Sequence, residues 1–239
     1  MLDLIIRNGM VIDGTGSPKF KADIGVKGNS IIAIGEVSST AIREIDASGA
    51  VVTPGFIDLH THSDNSFLVD PLADSKLTQG VTFELMGNCG MSFCAPLNSQ
   101  TIDDFNTRTN KFDPDYKPGW STMDGYLSAL ENAGSTINIA AQVGHGTVRR
   151  SVMGMDPCMP TPEQLDHMKS LIAESLDAGA LGMSTGLWYP PGSYSLTDEV
   201  IAVTQPAANR GKLYSSHIRS EADDLSGLFP AHAEAIEVG

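Results

Sequence analysis

The sequence predicts an α/β protein in which a small all-β unit precedes strand–loop–helix repeats of the kind that form a parallel sheet. Three observations predict it. Residues 2–50 are short apolar strands separated by turns rich in Gly and Asn. After residue 62, short apolar runs alternate with helix-period stretches. Apolar runs from Val51 onward end in residues able to bind metal, namely His60 and His62, Cys89, and His217.

Composition narrows the classes. With 239 residues and 41% hydrophobic content, the chain can bury a core. A net charge of −14 argues against a nucleic-acid partner, which requires a basic face. Three cysteines form no disulfide framework and suit a reducing compartment. The start, Met-Leu-Asp-Leu-Ile-Ile-Arg, has neither a basic leader nor a long apolar stretch. No run approaches the ~20 apolar residues of a membrane span. A cytoplasmic location and no membrane partner are therefore expected.

Residues 1–52 read as a small β-sandwich-like unit and residues 53–239 as the second domain. In the first, Leu2–Arg7 is a strand, Asn8-Gly9 a hairpin-type turn and Met10–Asp13 the next strand. Strands at Lys21–Val26, Ile31–Gly35 and Glu44–Ala47 follow. Gly14 and Gly16 open no dinucleotide motif, so the unit is expected to be structural.

The apolar run Val51–Leu59 leads across the boundary into the second domain, broken by Pro54-Gly55 and ending in His60-Thr61-His62. On a strand, positions i and i+2 point the same way, so the two imidazoles are expected to project together. Neutral imidazole is a common ligand for zinc and related metals, and Asp58 and Asp64 flank the pair. A helix over Asp70–Gln79 leads to the strand Val81–Met86 and then to Gly87-Asn88-Cys89-Gly90. A cysteine framed by glycines at a strand's C-terminal end stands where barrel enzymes place their chemistry. Cys94 and Cys158 read instead as buried apolar cysteines.

Residues 98–122 read as a long polar excursion, followed by a helix from Thr122 to Ala133 and a strand from Ile137 to Val143. That strand runs into Gly144-His145-Gly146, where His145 is expected at the same mouth, either contacting the substrate or a ligand residue, or as a loop-structuring residue. Thr161-Pro162-Glu163 opens a helix with the stripe Leu165, Met168, Leu171, Ile172 and Leu176, and Gly179 closes it. Strands at Ala180–Thr185 and Lys212–His217 follow, with helices at Ser195–Arg210 and Asp223–Val238, the last broken at Pro230. Arg149 and Arg219 could each hold a carboxylate, or pair with local acids such as Glu221.

Pro-Gly-Phe-Ile-Asp-Leu-His-Thr-His-Ser-Asp resembles the first-strand signature of the amidohydrolase superfamily, metal-dependent hydrolases built on a distorted (β/α)8 barrel. Gly-Asn-Cys-Gly, Val-Gly-His-Gly-Thr-Val-Arg, Ser-Thr-Gly-Leu-Trp-Tyr-Pro-Pro-Gly and Ser-Ser-His-Ile-Arg-Ser-Glu narrow the resemblance to the N-acyl-D-amino-acid deacylases. It runs over nearly the whole chain. It implies a partial (β/α)8 TIM-like barrel, about five of whose strands are present, beside the small β unit. It implies zinc, with Cys89 and His217 at a tight site and His60 and His62 at a weaker one. It also implies that Tyr189 contacts the carboxylate of a small N-acylated D-amino acid, while His145 is a candidate contact from its own place at a strand end. Cys89 stands where most binuclear relatives carry a carboxylated lysine. The family's sixth-strand histidine and its eighth-strand aspartate, the general base, have no counterpart in these residues, and five strands do not close a barrel. The expectation is therefore an incomplete, inactive portion of a zinc deacylase. The alternatives are an amidohydrolase acting on a cyclic amide or isoaspartyl peptide, and a non-catalytic fragment.

Overall fold

The computed structural model describes residues 1–222 and 225–239. Contacts divide the chain into two compact units, Met1–Phe56 and Ile57–Gly239.

The first unit is a mixed sheet of β1 (Leu2–Val11), β2 (Phe20–Lys27), β3 (Ser30–Gly35), β4 (Ala41–Asp46) and β5 (Val51–Val52). The order is β3-β2-β1-β4, with β5 also paired to β1. The turn expected at Asn8-Gly9 does not form. Instead β1 runs through it, with a register shift between Ile6 and Gly9. Asn8 takes φ 61°, its backbone N–H donates to Asp23, and its amide donates to Asp46. Carboxylates from two other strands thus capture a bulge where the dipeptide alone suggests a reversal.

The apolar run Val51–Leu59 is not one buried strand. Val52 ends β5, and β6 (Phe56–Asp58) resumes at the edge of the second sheet after Thr53-Pro54-Gly55. Phe56 and Ile57 are 58% and 65% exposed. Proline cannot donate to a ladder, which explains the break.

The second unit continues with α1 (Ser66–Val69), α2 (Asp74–Leu77), β7 (Val81–Met86), α3 (Ile102–Thr109), α4 (Met123–Ala133), β8 (Asn138–Gly144) and α5 (His145–Met153). Then come α6 (Pro162–Asp177), β9 (Gly182–Gly186), α7 (Thr197–Ala208), β10 (Leu213–His217) and α8 (Leu225–Val238). The sheet order β10-β9-β8-β7-β6 follows the sequence, and the β7–β8, β8–β9 and β9–β10 pairs are parallel. Strands added in sequence order, with helices between, give a curled half-barrel. Met86, Ala141, Val143 and Met183 of the strands share one apolar core with Met168, Ile172 and Leu176 of α6 and Val203 of α7. That burial holds the strand ends in place.

Local chemistry explains the helix boundaries. Thr161 and Gln164 form a reciprocal capping box ahead of α6. Thr122 caps α4 through the N–H of Gly125. The helix expected over Asp70–Gln79 shrinks to the one-turn α2, Asp74–Leu77, and a separate one-turn helix, α1, precedes it at Ser66–Val69. Asp70, forced from helical geometry by Pro71, has φ −135° and ψ 77°. The excursion at 98–122 contains α3 and is well packed, with Phe105 at 0% exposure against Tyr116 and Trp120. The break expected at Pro230 is absent, since α8 runs through it. A proline removes one hydrogen bond and bends a helix without necessarily ending it. Asp223, the expected start of that helix, lies outside the described residues.

Candidate metal centre

The centre is built at the C-terminal ends of the strands. His60 and His62 lie in the loop after β6, both exposed, with ring centroids 5.6 Å apart. Cys89 follows β7 and is buried. His60 Nε2 stands 3.1 Å from Cys89 Sγ. One ligand-type atom from each of His60, His62 and Cys89 falls within 4.8 Å of the other two. Among the described residues no other such group forms, and no carboxylate joins this one.

The flanking aspartates have other partners. Asp58 pairs with Lys76 at 2.9 Å, and Lys76 lies 2.8 Å from the fully buried Glu84. The hydrogen bond from Lys76 holds the Asp58 carboxyl below its usual range. Asp64 is 1% exposed, and its backbone carbonyl accepts from Tyr126.

His217 lies at the same end of the sheet but outside the 4.8 Å group. It pairs in register with Gly186 of β9, and its Nε2 is 3.7 Å from Glu221. Tyr189 bridges the two parts of the centre. Its hydroxyl donates to the Cys89 carbonyl at 2.5 Å, and its ring meets that of His217 edge-on at 5.3 Å. Tyr189 also lines a small cleft with Gly90, Phe93, Arg150 and Pro191.

The Cys89 turn is over-determined. Cys89 has φ 57°, a left-handed conformation that costs a non-glycine residue roughly 1–3 kcal/mol. Ser184 Oγ accepts from the N–H of Gly90 and donates to the carbonyl of Gly87. The N–H of Thr147 donates to Gly90 O, and Thr147 Oγ1 accepts from the N–H of Ser92. Gly87 is required by space as well as by φ, because a Cβ there would lie 2.1 Å from Gln142 O.

The donor set fits a transition metal. Soft thiolate with imidazole selects zinc over magnesium or calcium. Desolvation of the His62 ring, aided by His60, Arg108 and His217, pushes its pKa down and favours the neutral form that binds metal. Burial pushes the Cys89 thiol up, against the hydrogen bond with Tyr189. A cation beside the sulfur would reverse that.

His145 does not face the mouth. It is 0% exposed at the start of α5, with Nε2 3.4 Å from Glu199 and 3.5 Å from Ser195 Oγ. Glu199 also accepts from Arg149 Nε at 3.0 Å and Ser195 Oγ at 2.8 Å. Of the two roles expected of His145, contact near the site or a structuring role, these partners support the structuring one. The His145 Nε2 takes part in a buried bracket joining α5 to α7. Arg219 clamps Glu234 rather than Glu221. Cys94 is buried as expected, while Cys158 is exposed.

Asn88 and Gln142, both buried and not singled out by the sequence, link the segments that carry these candidate residues. The signal available was Gln142 itself, a polar residue at the heart of the apolar run Ile139–Val143.

A half-barrel whose strand ends gather two imidazoles and a thiol defines the class: a barrel protein shaped to hold a transition metal. The chain belongs to the amidohydrolase family, whose profile matches residues 43–211. It is 41% identical over 240 residues to an N-acyl-D-glutamate deacylase of Alcaligenes xylosoxydans xylosoxydans, covering 100% of this chain and 47% of the relative. A solved D-aminoacylase, studied for its binuclear metal centre, superposes with TM-score 0.90 at 38% identity, covering 100% of this chain and 49% of that one. The N-acyl-D-glutamate deacylase from Bordetella bronchiseptica, solved with zinc and a phosphonate mimic of the tetrahedral intermediate, superposes with TM-score 0.87 at 39% identity, with the same coverage. The chain thus spans about half the length of the relatives it matches. Among the described residues, no helix is long and apolar enough to cross a membrane.

Proposed function

We propose that this chain serves zinc-dependent hydrolysis of the amide bond of N-acyl-D-amino acids, releasing a carboxylate and a free D-amino acid. The observation that carries the proposal is the convergence of His60, His62 and Cys89 within 4.8 Å at the strand ends of a barrel shared with D-aminoacylases. In this reading His60, His62 and Cys89 hold zinc, and His217, at the same strand-end face, is a further ligand after a modest movement. A bound zinc supplies positive charge that polarises an amide carbonyl. Cys89 contributes a thiolate, and its fixed left-handed turn keeps the sulfur aimed at the imidazoles. Tyr189 borders the cleft beside Cys89 and is proposed to meet the substrate carboxylate. To donate there its hydroxyl must leave the Cys89 carbonyl, which links substrate binding to the thiolate turn. The free thiols and acidic charge support a cytoplasmic setting.

The test is release of D-amino acid from N-acetyl-D-glutamate, N-acetyl-D-aspartate and N-acetyl-D-methionine by the full natural chain with zinc. The L-enantiomers and a hydantoin serve as comparison substrates. Selective release from the D-substrates, abolished by Cys89→Ala, is expected. Opening of the hydantoin without D-selective release would overturn the reading.

A further inference from the structure

The ligands of the centre come from separate segments, the loop after β6 and the turn after β7, with His217 on β10 behind them. Exposed loops do not hold such a spacing unaided. One buried side chain spans the first two. Asn88, 3% exposed, sits beside Cys89, and its Nδ2 donates to the carbonyl of Leu85 at 2.8 Å. The same amide nitrogen faces the carbonyls of Thr61 at 3.3 Å and Leu59 at 3.4 Å. Leu59 and Thr61 are the residues immediately before His60 and His62.

The other end of the amide is also held. Asn88 Oδ1 accepts from Gln142 Nε2 at 3.1 Å, and Gln142 is 0% exposed on β8. Gln142 Oε1 accepts in turn from Ser215 Oγ at 3.0 Å, two residues before His217 on β10. The three carbonyls fix which way the Asn88 amide points, and the Gln142–Ser215 relay matches that orientation at its oxygen. Reversing it would set its oxygen against the backbone carbonyls of Leu59, Thr61 and Leu85. Buried polar chains of this kind hold geometry only when every member is satisfied.

We propose that Asn88, supported by Gln142 and Ser215, is a positioning residue that sets the separation between the His60–His62 loop and the Cys89 sulfur. It touches no ligand atom and acts through the carbonyls that flank the two histidines. The proposal rests on the metal-site reading above.

The test is cobalt(II) binding, followed by the thiolate-to-metal charge-transfer absorption, in the full natural chain and in Asn88→Ala, Gln142→Met and Ser215→Ala. Unfolding midpoints of the metal-free proteins are measured alongside. The expected result is an affinity 10–100-fold weaker in Asn88→Ala, the range seen when supporting partners of metal ligands are removed. Gln142→Met should show a smaller loss in the same direction, and the absorption band should shift in both. A merely structural role would lower the unfolding midpoint and leave affinity and band unchanged in every variant that folds, which would overturn the proposal. Should Asn88→Ala fail to fold, Gln142→Met and Ser215→Ala decide by the same criteria. Absence of a Cys89-dependent band in the unsubstituted protein would defeat the metal reading itself and this proposal with it. An intact band unaffected by the substitutions would defeat this proposal alone.

Discussion

His60 Nε2 lies 3.1 Å from Cys89 Sγ, although 29 positions separate the two residues in the chain. An imidazole nitrogen and a sulfur brought this close, with His62 alongside, give a cation three donors from one small space. Because His60 is exposed, replacing it removes little packing. His60→Ala is expected to keep its unfolding free energy within about 0.5 kcal/mol of the parent, as for surface substitutions generally. Zinc affinity should nevertheless fall at least 10–100-fold, the loss known even for supporting groups. Urea unfolding and zinc titration check the two halves.

Gly186, at the end of β9, tests how tightly the Cys89 turn is held. A Cβ there would lie 2.1 Å from Cys89 O and 2.5 Å from Tyr189 Oη. The first contact is with backbone and cannot be relieved by a rotamer change. Gly186→Ala should destabilise the fold by about 1–3 kcal/mol, as overpacking does. It should also weaken zinc binding, because the carbonyl displaced belongs to Cys89, the proposed ligand. Thermal unfolding and zinc titration of the variant measure both effects.

Glu199 sets a pH dependence. Burial alone would raise its pKa, but His145, Ser195 and Arg149 outweigh it and hold the carboxyl below the ordinary glutamate value. A depressed folded-state pKa contributes stability that is present above the unfolded pKa and lost as pH falls through the folded one. Stability should therefore decline as pH drops below roughly 4.5. Glu199→Gln should lessen that decline while costing about 3–5 kcal/mol near pH 7, because Arg149 is left buried without its charge partner. Urea unfolding from pH 3 to pH 8 reads both.

Much of this candidate centre was legible in the sequence, because its ligand-type residues follow apolar runs and glycines mark the sharp turn at Cys89. His145 also follows an apolar strand, and the sequence left it between a contact near the site and a structuring role. Its partner Glu199 stands 54 positions away on α7, and no local pattern reports such a pairing. The same limit applies to Asn8, whose bulge depends on Asp23 and Asp46, and to Asn88, whose role depends on the carbonyls of another strand end. Strand Val81–Met86 was readable to the residue because its apolar run is bounded by glycines on both sides. The split of Val51–Leu59 between two sheets was not, since β5 and β6 continue one apolar pattern across Pro54.

Tyr189 offers a separate reading of the substrate side. Tyr189→Phe removes the hydroxyl bonded to Cys89 O but retains the ring beside His217. The expected outcome is a raised KM for N-acyl-D-amino acids, with zinc content unchanged. An unchanged KM with reduced zinc content would confine Tyr189 to holding the turn. Steady-state kinetics and metal analysis on the same preparation separate the two.

The central claim is that Cys89 and the histidine pair share one metal ion. X-ray absorption at the zinc edge tests it most directly, since sulfur and nitrogen neighbours are resolved by distance. One sulfur at about 2.3 Å with two or more nitrogens at about 2.0–2.1 Å is expected. The sulfur shell should vanish in Cys89→Ser. A zinc ion surrounded only by oxygen and nitrogen in the unsubstituted protein, or a sulfur shell that survives Cys89→Ser, would contradict the account.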